Sequence, residues 1–472
     1  MEIDTTGTPG TAIAWFRRDL RLHDHPALTE AIRRGGRVVP LFVLDPALLD
    51  GPRASTVRRW ILLRTLAALD ADLRARGSGL VIRHGRPEEV VPALAAEIGA
   101  GTVLATRDVT PYARRRDRAV AAALAADGRS LHLRRGLLLV EPEDLPGGAG
   151  IGYAVFTPFW RASQGVDRRT LLDAPERIPP LPDGLRSDPL PDAGPPPVAD
   201  LAEPGEAAAR ERLERWVGGG LARYGEERNG LAGAPTSRLG MDLHFGTLSP
   251  LSVESASLAE SASGEYRRQL VWREFYHHLL WHRPALAREP FQPRFQGVFR
   301  PLEADPEAWW AWAEGRTGIP VVDAGMRQLS ATGWMPNRAR MIVASLLTRH
   351  LLLDWRLGEA HFQRLLVDGD LANNVGGWQW TAGVGTDAQP WFRIFNPVLQ
   401  GERFDPAGAW VRRWVPELAG VPDRAIHQPW SLSAAEQRAA GVAIGGSYPA
   451  PIVDLAAGRE RALAAFKAAS EG

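Results

Sequence analysis

The sequence predicts an α/β domain built on a doubly wound parallel sheet, a long linker, and an all-α C-terminal domain. Three observations carry this reading. Up to about residue 135, short apolar runs alternate with helix-length amphipathic stretches, the pattern of a parallel sheet covered on both faces. From Leu171 to about Glu203 the chain is rich in Pro, Gly and Asp with little apolar periodicity, as in a connecting segment. Beyond Glu206 strand alternation ceases and only helical periodicities remain.

Ala12–Phe16 is a short apolar run that ends in Arg17-Arg18-Asp19, so it reads as a buried strand opening into a polar loop. A helical stretch over Pro26–Arg34 leads to a second buried strand, Val38–Leu44. An amphipathic helix near Ser55–Arg76 precedes a third strand at Leu80–Arg83. Pro87–Ile98 reads as helix, Thr102–Thr106 as strand and Arg114–Ala126 as helix. The second half shows helical patterns over Glu206–Trp216, Leu251–Ala259, Glu265–Trp281, Pro306–Glu314, Val321–Thr332, Asn337–Leu353 and Gly358–Leu366. The expected domains are therefore 1–135 (α/β) and 206–472 (helical), joined by 136–205.

Hydrophobic residues make up 45% and charged residues 24% of the chain, the balance of an ordinary soluble protein. No apolar run is long enough to span a bilayer, and Met1–Gly10 lacks a basic region followed by an apolar stretch, so no membrane contact and a cytoplasmic location are expected. The absence of cysteine excludes disulfides, thiolate metal sites, iron–sulfur clusters and cysteine nucleophiles. Lys467 is the only lysine, which removes Schiff-base chemistry and a Walker P-loop. A net charge of +1 does not by itself mark a nucleic-acid binder, so any DNA-binding face has to be a local arginine patch. Fourteen of the 17 tryptophans lie from Trp216 onward.

Several segments carry candidate chemistry. Thr236-Ser237-Arg238 follows a Gly/Pro turn, and small hydroxyls followed by Arg suit an anion site or a plain capped helix. Tyr224 and Arg228 lie just upstream. Gln269, Trp272 and Tyr276 share one helix face, either as core or as a floor on which a flipped base stacks while the amide reads its edge. Gly333–Met341 opens a helix with Asn337 and Met341 one turn apart and with Arg338 and Arg340 between. Asp368–Trp380 packs two acids, two amides, two glycines and two tryptophans into thirteen residues, poor material for a plain core helix and good material for a donor- and acceptor-rich ligand site.

These pieces, together with Trp15–Arg21, Trp272–Phe275 and Arg393–Pro397, occur in the order seen in photolyases and cryptochromes. The sequence resembles that family over nearly its whole length, most closely the class I cyclobutane pyrimidine dimer photolyases. The resemblance implies an N-terminal antenna domain, a helical domain holding FAD in a U shape, and UV-damaged DNA as the partner of a monomer. No metal is implied. Tyr224, Thr236, Ser237, Arg238 and Leu239 would surround the FAD phosphates and ribityl chain. Trp272, Arg340, Asp368, Asp370 and Asn374 would lie near the flavin, with Asn374 facing its N5. Gln269, Trp272, Asn337, Arg338, Met341 and Trp380 would form the dimer pocket, with Arg228 nearby. Of these, Gln269, Asn337, Met341 and Asn374 would act in the reaction. Trp378 and Trp355 would be the inner members of a tryptophan chain that photoreduces the flavin.

Four positions depart from the family pattern. Gln269 stands where dimer photolyases usually carry Glu, and is shared with the (6-4) branch, but Asn337 stands where that branch has a catalytic His. Gly240 replaces a frequent Ser. Leu302 occupies the position of the outermost tryptophan, leaving Trp309, Trp310 and Phe299 as aromatic substitutes. Ala113 stands where folate-using members place a Glu, and Asp108–Arg114 looks more like members that bind 8-hydroxy-5-deazaflavin, with an empty antenna site as the alternative. A repair lyase is therefore expected, with a cryptochrome-type blue-light photoreceptor as the alternative.

Overall fold

The computed structural model describes residues 10–34, 36–148, 151–233, 236–258, 264–387, 390 and 392–471. Two compact units emerge: Met1–Pro197 with Ala202–Ala222 and Ser237–Pro284, and Val198–Leu201 with Arg223–Thr236 and Ala285–Gly472.

The first unit is built on five parallel strands: β1 (Ala12–Phe16), β2 (Val38–Leu44), β3 (Val81–His84), β4 (Thr102–Thr106) and β5 (Ser130–Arg134), in the order β3-β2-β1-β4-β5. β1 and β2 are buried at every position, as continuous apolar runs in a sheet covered on both faces must be. Crossover helices α1 (Pro26–Arg33), α2 (Thr56–Arg74), α3 (Pro87–Glu97) and α4 (Pro111–Ala125) link them. Strand order reverses at β1, so its C-terminal end and that of β4 flank the position where such sheets bind ligands.

β5 was not among the expected strands. Its sequence Ser-Leu-His-Leu-Arg alternates, its residues are only half-buried, and it lies at the sheet edge. The expected boundary at 205 also differs from the observed units. Residues 136–205 contain a helix, α5 (Phe156–Gln164), whose Phe156 and Phe159 are fully buried. Phe159 lies 5.4 Å from Phe275, on a later helix, α6 (Gly264–His282), which therefore packs with the first unit. Apolar anchoring by these two phenylalanines outweighs the loop-like composition around them.

The turn after β1 is fixed by the short helix Gly240–Phe245. Leu20 donates its N–H to the Phe245 carbonyl at 3.2 Å, and the buried Arg21 guanidinium reaches the Gly246 carbonyl at 2.9 Å. Gly246 caps that helix at φ 72°, and a Cβ there would stand 1.9 Å from the Arg18 carbonyl oxygen.

The second unit is all-helical: α7 (Pro306–Ala313), α8 (Pro320–Thr332), α9 (Asn337–Ser345), α10 (Trp355–Leu365), α11 (Leu371–Ala382), α12 (Pro397–Phe404), α13 (Ala409–Trp414) and α14 (Leu455–Glu471) surround one apolar core. α9 ends earlier than the expected Leu353, passing into a wider turn over Leu346–His350. Asp323 in α8 accepts from the Thr317 N–H and hydroxyl, the Gly318 N–H and the Tyr448 hydroxyl, all within 3.0 Å. Ala259 falls outside the described residues.

Gly246→Ala should destabilise the chain by about 2–4 kcal/mol, through overpacking against the Arg18 carbonyl plus left-handed strain. Urea unfolding of the variant beside the native protein measures this.

Candidate functional site

The densest constellation opens α11. Asp370 is its N-cap and accepts from the backbone N–H of Asn373 at 3.0 Å and from its side-chain amide at 2.7 Å. Asn374 is fixed from behind by α10: its amide nitrogen donates to the Glu359 carbonyl (2.9 Å), the Glu359 carboxylate (3.0 Å) and Gln363 Oε1 (3.1 Å). Gln363 in turn donates to the Gly369 carbonyl at 2.8 Å. With its nitrogen so engaged, Asn374 keeps its amide oxygen as an acceptor for a ligand. Asp368 gives one oxygen to Arg340 at 2.9 Å, while its other, Oδ1, is buried with no hydrogen-bond partner among the described residues. Such an oxygen costs free energy unless a ligand or water donates to it. Gly377 on α11 is exposed, with no atom within 4 Å of a would-be Cβ. A bare helix face beside orphaned acceptors fits a large ligand carrying donors, as a flavin does.

α9 supplies a second group. The Asn337 amide nitrogen lies 3.7 Å from the Met341 sulfur, which confirms that the two share a face. Arg340 also donates to the Met335 carbonyl at 2.9 Å, so its guanidinium is oriented at both ends. Arg338 donates to Asn229 at 2.8 Å and lies 4.5 Å from the Phe404 ring, on which Arg403 also sits at 5.2 Å. Burial, and then the like charges of Arg403 and Arg228, hold the Arg338 guanidinium below its usual range. The three arginines form a local concentration of positive charge in a chain that is nearly neutral overall. Arg228 lies 5.8 Å from the Tyr224 ring.

In the first unit, Gln269 is half-buried on α6, and its side-chain amide makes no hydrogen bond to another described residue. Trp272, one turn on, is stacked on Phe156 at 3.8 Å and 6°, and is flanked by Tyr276 at 5.6 Å. Phe156 sets the plane of the tryptophan and covers one of its faces. Ser237 accepts from the Leu239 N–H at 3.4 Å, Arg238 is exposed at φ 52°, and Leu239 is buried. Thr236 is half-buried and belongs to the second unit. At the sheet's switch point, Arg18 faces Asp108 at 3.9 Å, and Ala113 is buried.

The tryptophans assigned to electron transfer are both buried. Trp378 packs against Phe362 (5.0 Å) and Trp312 (6.0 Å), in space that exists because a Cβ on Gly358 would come within 2.0 Å of its ring. Trp355 makes no ring–ring contact among the described residues, and its ring faces the Arg356 guanidinium at 5.8 Å. Trp380 is half-buried on α11. His361 lies 5.7 Å from both Trp309 and Trp312, and burial pushes its imidazole down to about 4.

Sequence reasoning missed Glu359, Gln363, Phe156 and Arg403, which act through contacts distant in the chain. The spacing of Glu359 and Gln363, one turn apart on a helix adjoining the key segment, was the one visible signal.

Residues 266–468 match the family described as FAD binding domain of DNA photolyase, and residues 12–180 match that described as DNA photolyase. A Streptomyces griseus protein named deoxyribodipyrimidine photo-lyase is 44% identical over 95% of this chain and 98% of its own length. A Gloeobacter violaceus cryptochrome DASH is 36% identical over 94% of this chain and 93% of its own. A bacterial class III photolyase from Agrobacterium tumefaciens superposes with a TM-score of 0.92 at 40% identity, covering 100% of both chains. The class I motifs read from the sequence thus meet a structural neighbour titled class III. Both family models, the Streptomyces relative and the Agrobacterium structure agree on the coarser photolyase assignment.

The depressed His361 imidazole generates a stability test. The unfolded chain takes up its proton near 6.5 and the folded chain near 4, so this residue's contribution is complete above 6.5 and is lost as pH falls toward 4. His361→Leu should remove about 2–3 kcal/mol of acid-dependent destabilisation across that window. Urea unfolding at pH 7 and near pH 4.5, with and without the substitution, reads the difference.

Proposed function

The chain belongs to the DNA photolyase family, and we propose that it splits cyclobutane pyrimidine dimers in UV-damaged DNA, using light absorbed by a non-covalent FAD. The observation that carries the site assignment is the start of α11: the Asp368 oxygen just ahead of it, unpartnered among the described residues, and the Asn374 amide held rigid by Glu359 and Gln363. When bound, FAD in its reduced, excited form supplies the electron that opens the cyclobutane ring and receives it back afterwards.

The protein's own residues bind, orient and tune. Asp368 and Asp370, with Arg340 from α9, would hold the polar edge of the cofactor, and Asn374 would offer it the amide oxygen that Glu359 and Gln363 leave free. Tyr224, Thr236, Ser237, Arg238 and Leu239 would hold its phosphates and ribityl chain. Trp272 and Trp380 offer ring faces on which extruded bases stack, worth about 1–3 kcal/mol per base. This favours lesions that already stack and pair poorly. Gln269, whose amide is uncommitted, donates a hydrogen bond to the dimer as negative charge develops there. Asn337 and Met341 contact the second base, and Arg338, Arg228 and Arg403 attract the phosphates. The photoreceptor alternative draws no separate support from this geometry.

The lesion choice rests on chemistry. Reversing a (6-4) photoproduct moves a hydroxyl or amino group between bases and calls for a proton donor such as His. Asn337 cannot serve as a general acid, whereas ring splitting needs only the electron and a neutral donor such as Gln269. For the antenna we assign 8-hydroxy-5-deazaflavin rather than folate, at the switch point between β1 and β4. Ala113 there is buried and brings no carboxylate.

Denaturation should release one FAD per chain, and recovery of FMN alone would overturn the cofactor assignment. Under blue light the reduced protein should clear cyclobutane dimers from a defined oligonucleotide and leave a (6-4) oligonucleotide intact; the reverse pattern would overturn the lesion assignment. Gln269→Leu should lower dimer-splitting yield about fivefold, the scale of one lost hydrogen bond. Arg403→Ala should weaken damaged and undamaged duplexes alike and reduce the salt slope of log K by about 0.9. An unchanged slope would remove Arg403 from the phosphate-facing surface.

A further inference from the structure

Arg349 lies in the wider turn that follows α9, and its side chain is fully buried in the second unit. All three guanidinium nitrogens, Nε, Nη1 and Nη2, are buried without a hydrogen-bond partner among the described residues. Burial alone pulls the group down to about 9, with no described carboxylate offsetting it.

The chain itself fixes where this cation sits. Its Cζ lies 4.3 Å from the centroid of the Phe466 ring on α14, and Phe466 packs in turn on Phe295 at 5.1 Å. Gly383 caps α11 at φ 72°, and a Cβ there would stand 2.1 Å from Arg349 Nη2. The guanidinium therefore occupies space that only glycine leaves, against the electronegative C-terminal end of α11. Ring and helix end both attract a cation, yet neither accepts its N–H groups in this arrangement. Arginine does not escape burial by giving up its proton as a lysine can, so the cost has to be met by a partner.

We propose that Arg349 is the core of an internal binding site for one small monovalent anion of the halide class, where the turn after α9, the end of α11 and α14 meet. One negative charge balances one guanidinium, and a spherical ion accepts several N–H groups at once. Sulfate or phosphate would bring surplus charge, and oxygens needing further donors, into an enclosure that supplies one cation. The anion's role is structural. It ties the C-terminal helix to the end of α11, and the site is independent of the flavin reading.

The test uses the full-length protein in sodium gluconate, with chloride replacing gluconate at constant ionic strength. Urea unfolding should show the native protein stabilised by chloride. Once the site fills, each tenfold rise in chloride should lower the unfolding equilibrium constant about tenfold. Arg349→Met, similar in length and uncharged, should lose this dependence and match or exceed the native protein in gluconate. Equal native stability in the two salts overturns the proposal, as does a chloride dependence that survives in the variant. Bromide soaked into crystals of the native protein gives a second reading that does not require the variant to fold. Its anomalous signal should appear within hydrogen-bond distance of the Arg349 nitrogens. Absence of bromide there overturns the site and leaves the guanidinium to ordered water.

Discussion

The second unit's site depends on how closely α11 approaches α10. The helices meet at Gly358, where any side chain would occupy the space of the Trp378 ring, and at Asn374, whose amide is clasped by Glu359 and Gln363. Both contacts are demanding in opposite ways. The first is steric and tolerates no added methyl group; the second is polar and leaves buried donors and acceptors unsatisfied if the spacing opens. Together they set the height and rotation of α11, and so decide where Asp370 caps, where the bare surface at Gly377 faces, and which oxygen of Asn374 is left for a ligand. Two constraints of different character on one interface are harder to satisfy by accident than either alone.

Charge is arranged on the same economical plan. The whole chain carries a net charge of only +1, yet Arg338 and Arg403 bracket the Phe404 ring and feel each other and Arg228 as like charges. Flat guanidinium groups can stack on an aromatic ring and still present donors outward, which an ammonium group does less well. A polyanion would relieve that repulsion, so the cluster is better matched to a bound state than to the free chain.

The legibility of this chain in its sequence follows the range of the interactions involved. β1 to β4 were readable because a strand buried on both faces must be a continuous apolar run. β5, half-buried at an edge, shows only Leu131 and Leu133 between polar residues. α5 was hidden because Phe156 and Phe159 lie among Pro- and Gly-rich neighbours, and their reason for being there is α6, more than a hundred residues on. The same holds at the site. Asp368, Asn374 and Trp378 announced themselves through a dense local motif. The groups that position them, Glu359, Gln363 and Gly358, sit on an ordinary amphipathic helix and become meaningful only once α10 and α11 are in contact. Trp355 shows the converse: a residue matched by motif whose ring turns out to have no aromatic neighbour among the described residues.

The chemistry assigned to this chain also explains what its site lacks. Moving an electron into a dimer and back requires no acid or base poised near neutrality, so there is no reason to keep a titrating group beside the reacting atoms. Two buried histidines fit this. His361 is pushed down to about 4, and His278, which shares a hydrogen bond with the Val140 carbonyl, is likewise pushed down to about 4 by burial. Each is neutral at physiological pH and serves as a flat, moderately polar packing element. A neutral imidazole can therefore pack edge-on against the rings of Trp309 and Trp312 without placing an uncompensated charge between them.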